Sequence, residues 1–395
     1  LNKLKPLSIA AQAAISLMLA ANAHAVEMSD TFQVHGFMSQ ALIVTDHNDF
    51  FGPSSEKGGS LEYTELGLNA SVRPLSNVLV AGQVLSRKAG NYGDAWQPKL
   101  DYGVVDYQVI GDEKRALGVQ LGRFKNPFGF YNQTRDAPST RPSILLPQSI
   151  YFDRSRSLGL ASDGLSVYDE ERLSNGTVYI QGGVGIPQIN GDAEISLSPS
   201  NPSLNGKVST IGQVLYSHDG GRINVALSMA QVRSDYQSRQ DRQASGEFVF
   251  QPTVVSFQYN AEKWSLTAEY EYQKRELKGF QISSYNGRAD GESAYLQYLY
   301  RLSNNWQWLL RYDYAVSNRN DRDGKRYEAS GRGPDYSRFA KDITSGLQWR
   351  VTPDWNVQAE FHHVNGTAWL PRQDNDDEKT EQYWNMLLLQ TSFSF

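Results

Sequence analysis

Between positions 123 and 156 the chain carries Arg123, Lys125, Arg135, Arg141, Arg154 and Arg156 against Asp136 and Asp153, a net +4 inside a 395-residue chain of formal charge −5. Positive charge held between low-dielectric walls attracts anions. Guanidinium groups add forked donors that fit carboxylate, sulfate or phosphate oxygens better than a halide. Two arrangements are open. Facing a water-filled passage, these side chains favour anions. Facing wall carboxylates such as Glu269 or Glu360, they are neutralised and attract nothing net.

Other chemistries find little support. The chain has no cysteine, which removes disulfides, thiolate catalysis and cysteine metal sites. Beyond position 25 the histidines are His35, His47, His218, His362 and His363. Adjacent strand residues point to opposite faces, so His362 and His363 do not share a metal. His362 lies near Glu360, but no Ser–His pattern accompanies them, and no enzyme is expected. Asp321, Asp323 and Gly324 lack the remaining ligands of a calcium loop. The acids Asp374, Asp376, Asp377, Glu378 and Glu381, with Arg372 and Lys379, read as a solvated loop or as a site for divalent ions bridging lipopolysaccharide. No cofactor or metal is expected, and the acidic balance argues against nucleic acid.

The elements that must position the basic segment are long alternating strands. Trp264, Leu266, Ala268, Tyr270 and Tyr272 share one face, with Ser265, Thr267, Glu269, Glu271 and Gln273 on the other. Trp306 to Tyr314 and Trp355 to Phe361 repeat the pattern. Such strands run about ten residues, longer than the five or six usual in soluble sheets. Seven short turns alternate with eight long segments, near 45–59, 89–99, 126–157, 187–207, 236–246, 277–290, 316–338 and 365–381. The reading is all-β: a transmembrane antiparallel barrel of about sixteen strands, with a long third loop folded inward. Hydrophobic residues reach only 39% while Tyr and Trp number 22 and 8, which suits a wall with one lipid face and one wet face. Strands cross lipid only as a closed barrel. Inward charges are expected at Glu269, Glu271, Arg311, Asp313, Arg350 and Glu360. Arg311 and Arg350 join the six loop cations as candidate anion-binding residues at the constriction.

Lys3 and Lys5, the apolar run Leu7–Ala21 and Ala23-His24-Ala25 form an export-signal pattern. Residues 1–25 are therefore expected to be a signal peptide and 26–395 the barrel. The chain closes with Leu387, Leu389, Thr391, Phe393 and Phe395 on one face, and Phe393 and Phe395 are expected to serve as an assembly signal. These features imply the outer membrane of a Gram-negative bacterium, with lipid and lipopolysaccharide as partners.

Gly122-Arg123-Phe124-Lys125-Asn126-Pro127-Phe128-Gly129, then Tyr151-Phe152-Asp153-Arg154, then Asp163-Gly164-Leu165, resembles the phosphate-selective porin family. The resemblance covers about fifty residues. It implies a homotrimer of sixteen-stranded channels, small anionic solutes as cargo, and Lys125, Arg135, Arg141 and Arg154 at the constriction. Lys125 is the one lysine of the loop, so the resemblance points to anions in general more than to phosphate. The alternatives are a general or hydrophobic-substrate channel, or a structural or adhesive barrel.

Overall fold

The computed structural model describes residues 26–29, 31–91, 96–197, 202–239, 245–281, 286–376 and 379–395. The export-signal reading falls on 1–25, outside the described residues. A four-residue strand, Val26–Ser29 (β1), pairs with the start of β2 (Phe32–Thr45). The barrel continues through β3 (Ser60–Leu75), β4 (Val78–Ala89), β5 (Lys99–Gly111), β6 (Arg115–Lys125), β7 (Ala161–Leu173), β8 (Gly176–Pro187) and β9 (Ser203–His218). It is completed by β10 (Ile223–Gln237), β11 (Ser245–Asn260), β12 (Trp264–Lys278), β13 (Gly287–Arg301), β14 (Trp306–Val316), β15 (Phe339–Thr352), β16 (Trp355–Gly366) and β17 (Tyr383–Ser394). Each strand of β2–β17 pairs antiparallel with the next, and β17 pairs back onto β2, so sixteen strands close among the described residues. No described helix is long and apolar enough to cross a membrane, and the crossing is made by strands.

Alternation decides which side chains face inward. On β12, Ser265, Thr267, Glu269, Glu271 and Gln273 are all buried, while Tyr270 is exposed. One break in the period matters for the interior. Between β4 and β5 the register skips from Gln83↔Tyr102 to Val84↔Leu100, a bulge that leaves Asp101 unpaired. Asp101 there accepts a hydrogen bond from the inward Gln83 at 2.9 Å, while Leu100 stays exposed.

The outer wall is uneven. On β9–β17 it carries Tyr216, Tyr259, Trp264, Tyr298, Tyr300, Trp306, Trp308, Trp349 and Trp355 near the short turns, and Tyr270, Tyr272, Tyr312, Tyr314 and Tyr383 nearer the long loops. On β3–β8 the outward positions are mostly aliphatic or glycine, with Lys88, Arg123, Asp163 and Asp169 toward the strand ends, and among the described residues Tyr107 is their one exposed aromatic residue.

The closing seam runs from Met386↔Thr45 to Ser394↔Phe37. Beyond it Phe395 exchanges two backbone hydrogen bonds with Gly36, both 3.0 Å. The Phe395 ring lies over Gly36, where a Cβ would stand 2.4 Å from it.

Candidate functional site

The segment between β6 and β7, residues 126–160, lies inside the barrel. Pro127, Pro138, Pro142 and Pro147 restrict its backbone, and two short 3-10 turns, Pro138–Thr140 and Arg156–Leu158, shape it. Its apolar side chains fix it in two places. Phe128, Leu146, Ile150 and Tyr151 pack with Phe124, Ile211, Val254 and Tyr295 of the wall. Ile144 and Leu145 join Phe50, Phe51, Trp369, Leu370 and Trp384 from the first and eighth long loops and β17. Those two loops latch together, Asn48 and Glu381 exchanging two 2.8 Å hydrogen bonds. The apolar runs Ile144-Leu145-Leu146 and Ile150-Tyr151-Phe152 are thus packed within their own chain. In loop eight, Asp374 accepts the Asn91 N–H at 3.0 Å, and Asp377 and Glu378 lie outside the described residues.

Wall carboxylates hold the loop backbone. Glu360 accepts the Ile144 N–H at 2.5 Å and the Leu145 N–H at 3.4 Å. Asp313 accepts the Ser149 N–H at 3.2 Å. Glu269 accepts from the Phe130 N–H at 3.0 Å, Tyr151 Oη at 2.6 Å, Tyr295 Oη at 2.8 Å and Ser256 Oγ at 2.5 Å. From the opposite sign, Arg311 donates to the Leu145 carbonyl at 3.1 Å and to Ser143 Oγ at 3.0 Å. Buried backbone groups need such partners once water is excluded.

The basic residues read from the sequence are distributed as follows. Arg141 is buried against Glu65, with Nη2–Oε2 at 2.5 Å and Nη1–Oε1 at 3.2 Å. Arg135 lies 3.6 Å from Asp153 and donates to the Tyr151 carbonyl at 2.8 Å. Lys125 bridges Asp101, at 2.5 Å, and Asp136. Arg156 pairs with Asp136 and lies 3.7 Å from Asp153. Arg154 is half-buried over the Phe152 ring at 5.7 Å, and its carbonyl accepts from Ser196 of the fourth loop. Arg123 pairs with Asp163 at 2.7 and 3.0 Å, in step with the exposed Leu121 and Leu165. Arg350 is exposed at the short-turn end of β15, the opposite end from loop three. Burial pushes the Asp136 carboxyl up, but Arg156, Lys125 and Arg135 outweigh it and hold Asp136 well below the usual range. Burial, joined by neighbouring Arg156, brings Arg135 down to about 10.

The +4 of residues 123–156 is therefore met by wall groups. Among the described residues, six further carboxylates touch the stretch 123–156: Glu65, Asp101, Asp163, Glu269, Asp313 and Glu360. Two wall arginines also touch it, Arg311 and Arg87, the latter 2.8 Å from Asp153. Among the described residues, this stretch and the wall groups named here balance to zero. Glu65, Asp101, Arg87 and Asp163 were not singled out as partners from the sequence. Glu269 and Glu360, the partners expected for arginines, take N–H and O–H donors instead.

What loop three leaves exposed is uncharged: Gln133, Thr134, Ser139 and Thr140 are its exposed residues. Gln133 reaches across to Gln181 of β8 at 2.9 Å. The wall there is amide and phenol. Gln120 and Tyr168 each donate to Asp106 at 2.9 Å, and the Tyr168 and Tyr179 rings lie 6.3 Å apart. Gly118 lets the Tyr168 ring lie against β6, since a Cβ there would stand 2.4 Å from it. Nearer the long loops, a cavity of about 220 Å³ is lined by Arg87, Lys99, Arg123 and Arg156 together with Asp101 and Asp192.

No family model matches the chain, and no curated protein matches it. Solved structures do share its fold. It is similar to an anion-selective porin from Comamonas acidovorans, at 12% identity over 92% of this chain and 99% of that one, with a TM-score of 0.61. It is similar to OmpT, an outer membrane protein of Vibrio cholerae in a trimer form, at 10% identity over 92% and 99%, with a TM-score of 0.58. The outer membrane channel DcaP of Acinetobacter baumannii aligns at 13% identity over 94% and 100%, with a TM-score of 0.56. The architecture is that of Gram-negative outer-membrane barrels.

Proposed function

We propose that the chain forms a water-filled diffusion channel for small hydrophilic solutes across the outer membrane, with weak charge selectivity and no catalysis. A sixteen-stranded barrel is wide enough to hold an aqueous lumen. One observation carries the charge reading: loop three turns Arg135, Arg141, Asp136 and Asp153 into buried pairs and leaves Gln133, Thr134, Ser139 and Thr140 exposed. Purified protein in planar bilayers is expected to conduct ions. Its reversal potential in an about tenfold salt gradient should lie well inside the roughly 59 mV of ideal selectivity. Absence of conductance, or a reversal potential near either ideal limit, overturns the reading.

Anion preference, the finer expectation of the phosphate-selective resemblance, is favoured by the cavity where Arg87, Lys99, Arg123 and Arg156 converge against two acids. Under that reading, Lys99→Gln with Arg123→Gln moves the reversal potential toward cations. Under the weakly selective reading it does not move.

The uneven outer wall supports a homo-oligomer. Tyr and Trp mark where a barrel meets the lipid interface. The β3–β8 wall, with Tyr107 alone, is the side we assign to a second copy, and Gly82 and Gly182 on it allow close approach. The native chain has no cysteine, so a single introduced one is unambiguous. Val105→Cys is expected to give cross-linked oligomers in native membranes, and Leu296→Cys on the aromatic side is not. The reverse pattern, or none in either, removes the assignment.

A further inference from the structure

His362 is buried on the inner face of β16, between two carboxylates, in a place the channel reading does not use. Its Nδ1 is 2.7 Å from Asp342 Oδ2 and 3.0 Å from Thr344 Oγ1, and its Nε2 is 3.4 Å from Glu360 Oε2. Glu360 is the residue that holds the Ile144 and Leu145 N–H groups of loop three. The imidazole therefore stands directly behind the loop's main backbone anchor.

A neutral imidazole offers one donor and one acceptor, whereas an ionised carboxylate only accepts. With the single proton on Nδ1, the Nε2 lone pair faces Glu360. With it on Nε2, the Nδ1 lone pair faces Asp342 across 2.7 Å. Only the imidazolium turns an N–H toward each carboxylate, hydrogen-bonded to Asp342 and ion-paired with Glu360. The groups facing this site are few. They are Asp342 on β15, Arg311 and Asp313 on β14, and Glu360 on β16 itself. The register partner on β17 is Met386, and loop three presents Ser143, Ile144 and Leu145. Arg311 grips the same tripeptide from its carbonyl side, so the loop is held between a cation and a carboxylate.

We propose that His362 is a positioning residue: as imidazolium it braces Glu360, and loss of its proton loosens residues 143–145 of loop three, making the width of the passage depend on pH. This rests on the channel reading. Deprotonation removes the ion pair to Glu360 and leaves a ring lone pair facing a buried carboxylate.

The test is single-channel recording from about pH 6 to about pH 10. In the native protein the rate of loop-scale current transitions is expected to rise about tenfold on the alkaline side. His362→Gln cannot lose a proton, so its record should be restless at every pH and the alkaline step absent. Glu360→Gln presents an amide that accepts from Ile144 and donates to a neutral ring, and it should stay quiet through alkaline pH. A merely structural histidine predicts noise without a change in the pH profile. An alkaline step of unchanged size and midpoint in His362→Gln overturns the proposal, as does a native channel with no alkaline step. If the barrel carries no current, the channel reading fails separately. The ring's protonation is then followed by ¹⁵N-histidine NMR in detergent and loop exposure by limited proteolysis. Proteolysis that does not follow the ring's titration overturns the positioning role.

Discussion

Replacing Glu65 with Ala is expected to detach the middle of loop three from the wall and to widen the passage. Glu65 is fully buried and accepts from both terminal nitrogens of Arg141, from Ser39 Oγ at 3.1 Å, and lies 3.5 Å from Arg87 Nε. Removing it leaves two guanidinium groups sharing one buried site, with Asp153 as the remaining neighbour of Arg87. Breaking a buried pair from one side costs about 3–5 kcal/mol, because the orphaned charge has lost its solvation and its partner. Loop three has other anchors at Glu269, Asp313 and Glu360, so the barrel itself is expected to fold. The measurable results are cleavage of loop three by added protease, higher single-channel conductance, and a reversal potential shifted toward anions as Arg141 is unmasked. Glu65→Leu with Arg141→Met removes both charges and should restore protease resistance. If Glu65→Ala behaves as the native protein, the pair does not hold the loop.

The sequence made the barrel legible because its signals are local. Period-two alternation over ten or more residues fixes which face of β12, β14 or β16 is wet, and turn lengths fix the order of short and long ends. The partners of charge were not legible. Arg141 meets Glu65 from 76 positions away, and Ile144 meets Glu360 from 216 away. Counting charge within residues 123–156 therefore measured a piece of a site whose other half comes from many strands. Asp101 was hidden for a different reason. Strict alternation reads only one of Asp101 and Tyr102 as inward, and the bulge at β4–β5 directs Asp101 to Gln83 and Lys125. Conversely, Glu269 and Glu360 were recognised as inward acids, but their role is to accept backbone donors, which no residue pattern advertises.

Deleting Phe395 is expected to cut the amount of folded barrel severalfold, and two separable reasons are proposed for it. The first is the seam. Phe395 supplies two backbone hydrogen bonds to Gly36 and a ring that covers the glycine where β17 meets β2. A partly buried ring of this size contributes about 1–2 kcal/mol, and each hydrogen bond about 1 kcal/mol. In a closed barrel the last pairing also satisfies the edges of two strands at once, so a frayed end leaves both unpaired toward lipid. The second, proposed from the sequence, is recognition of the aromatic face of Phe393 and Phe395 by the assembly machinery. Refolding into lipid vesicles without that machinery divides them. If the truncated chain refolds with normal yield and heat-modifiable migration but is depleted in cells, Phe395 acts as a signal. If both yields fall, the seam accounts for it, and Phe395→Ala, which keeps the backbone bonds to Gly36, should fall less than the deletion. Equal, normal yields for the native chain and the deletion in both settings would leave the C-terminal aromatic with neither role.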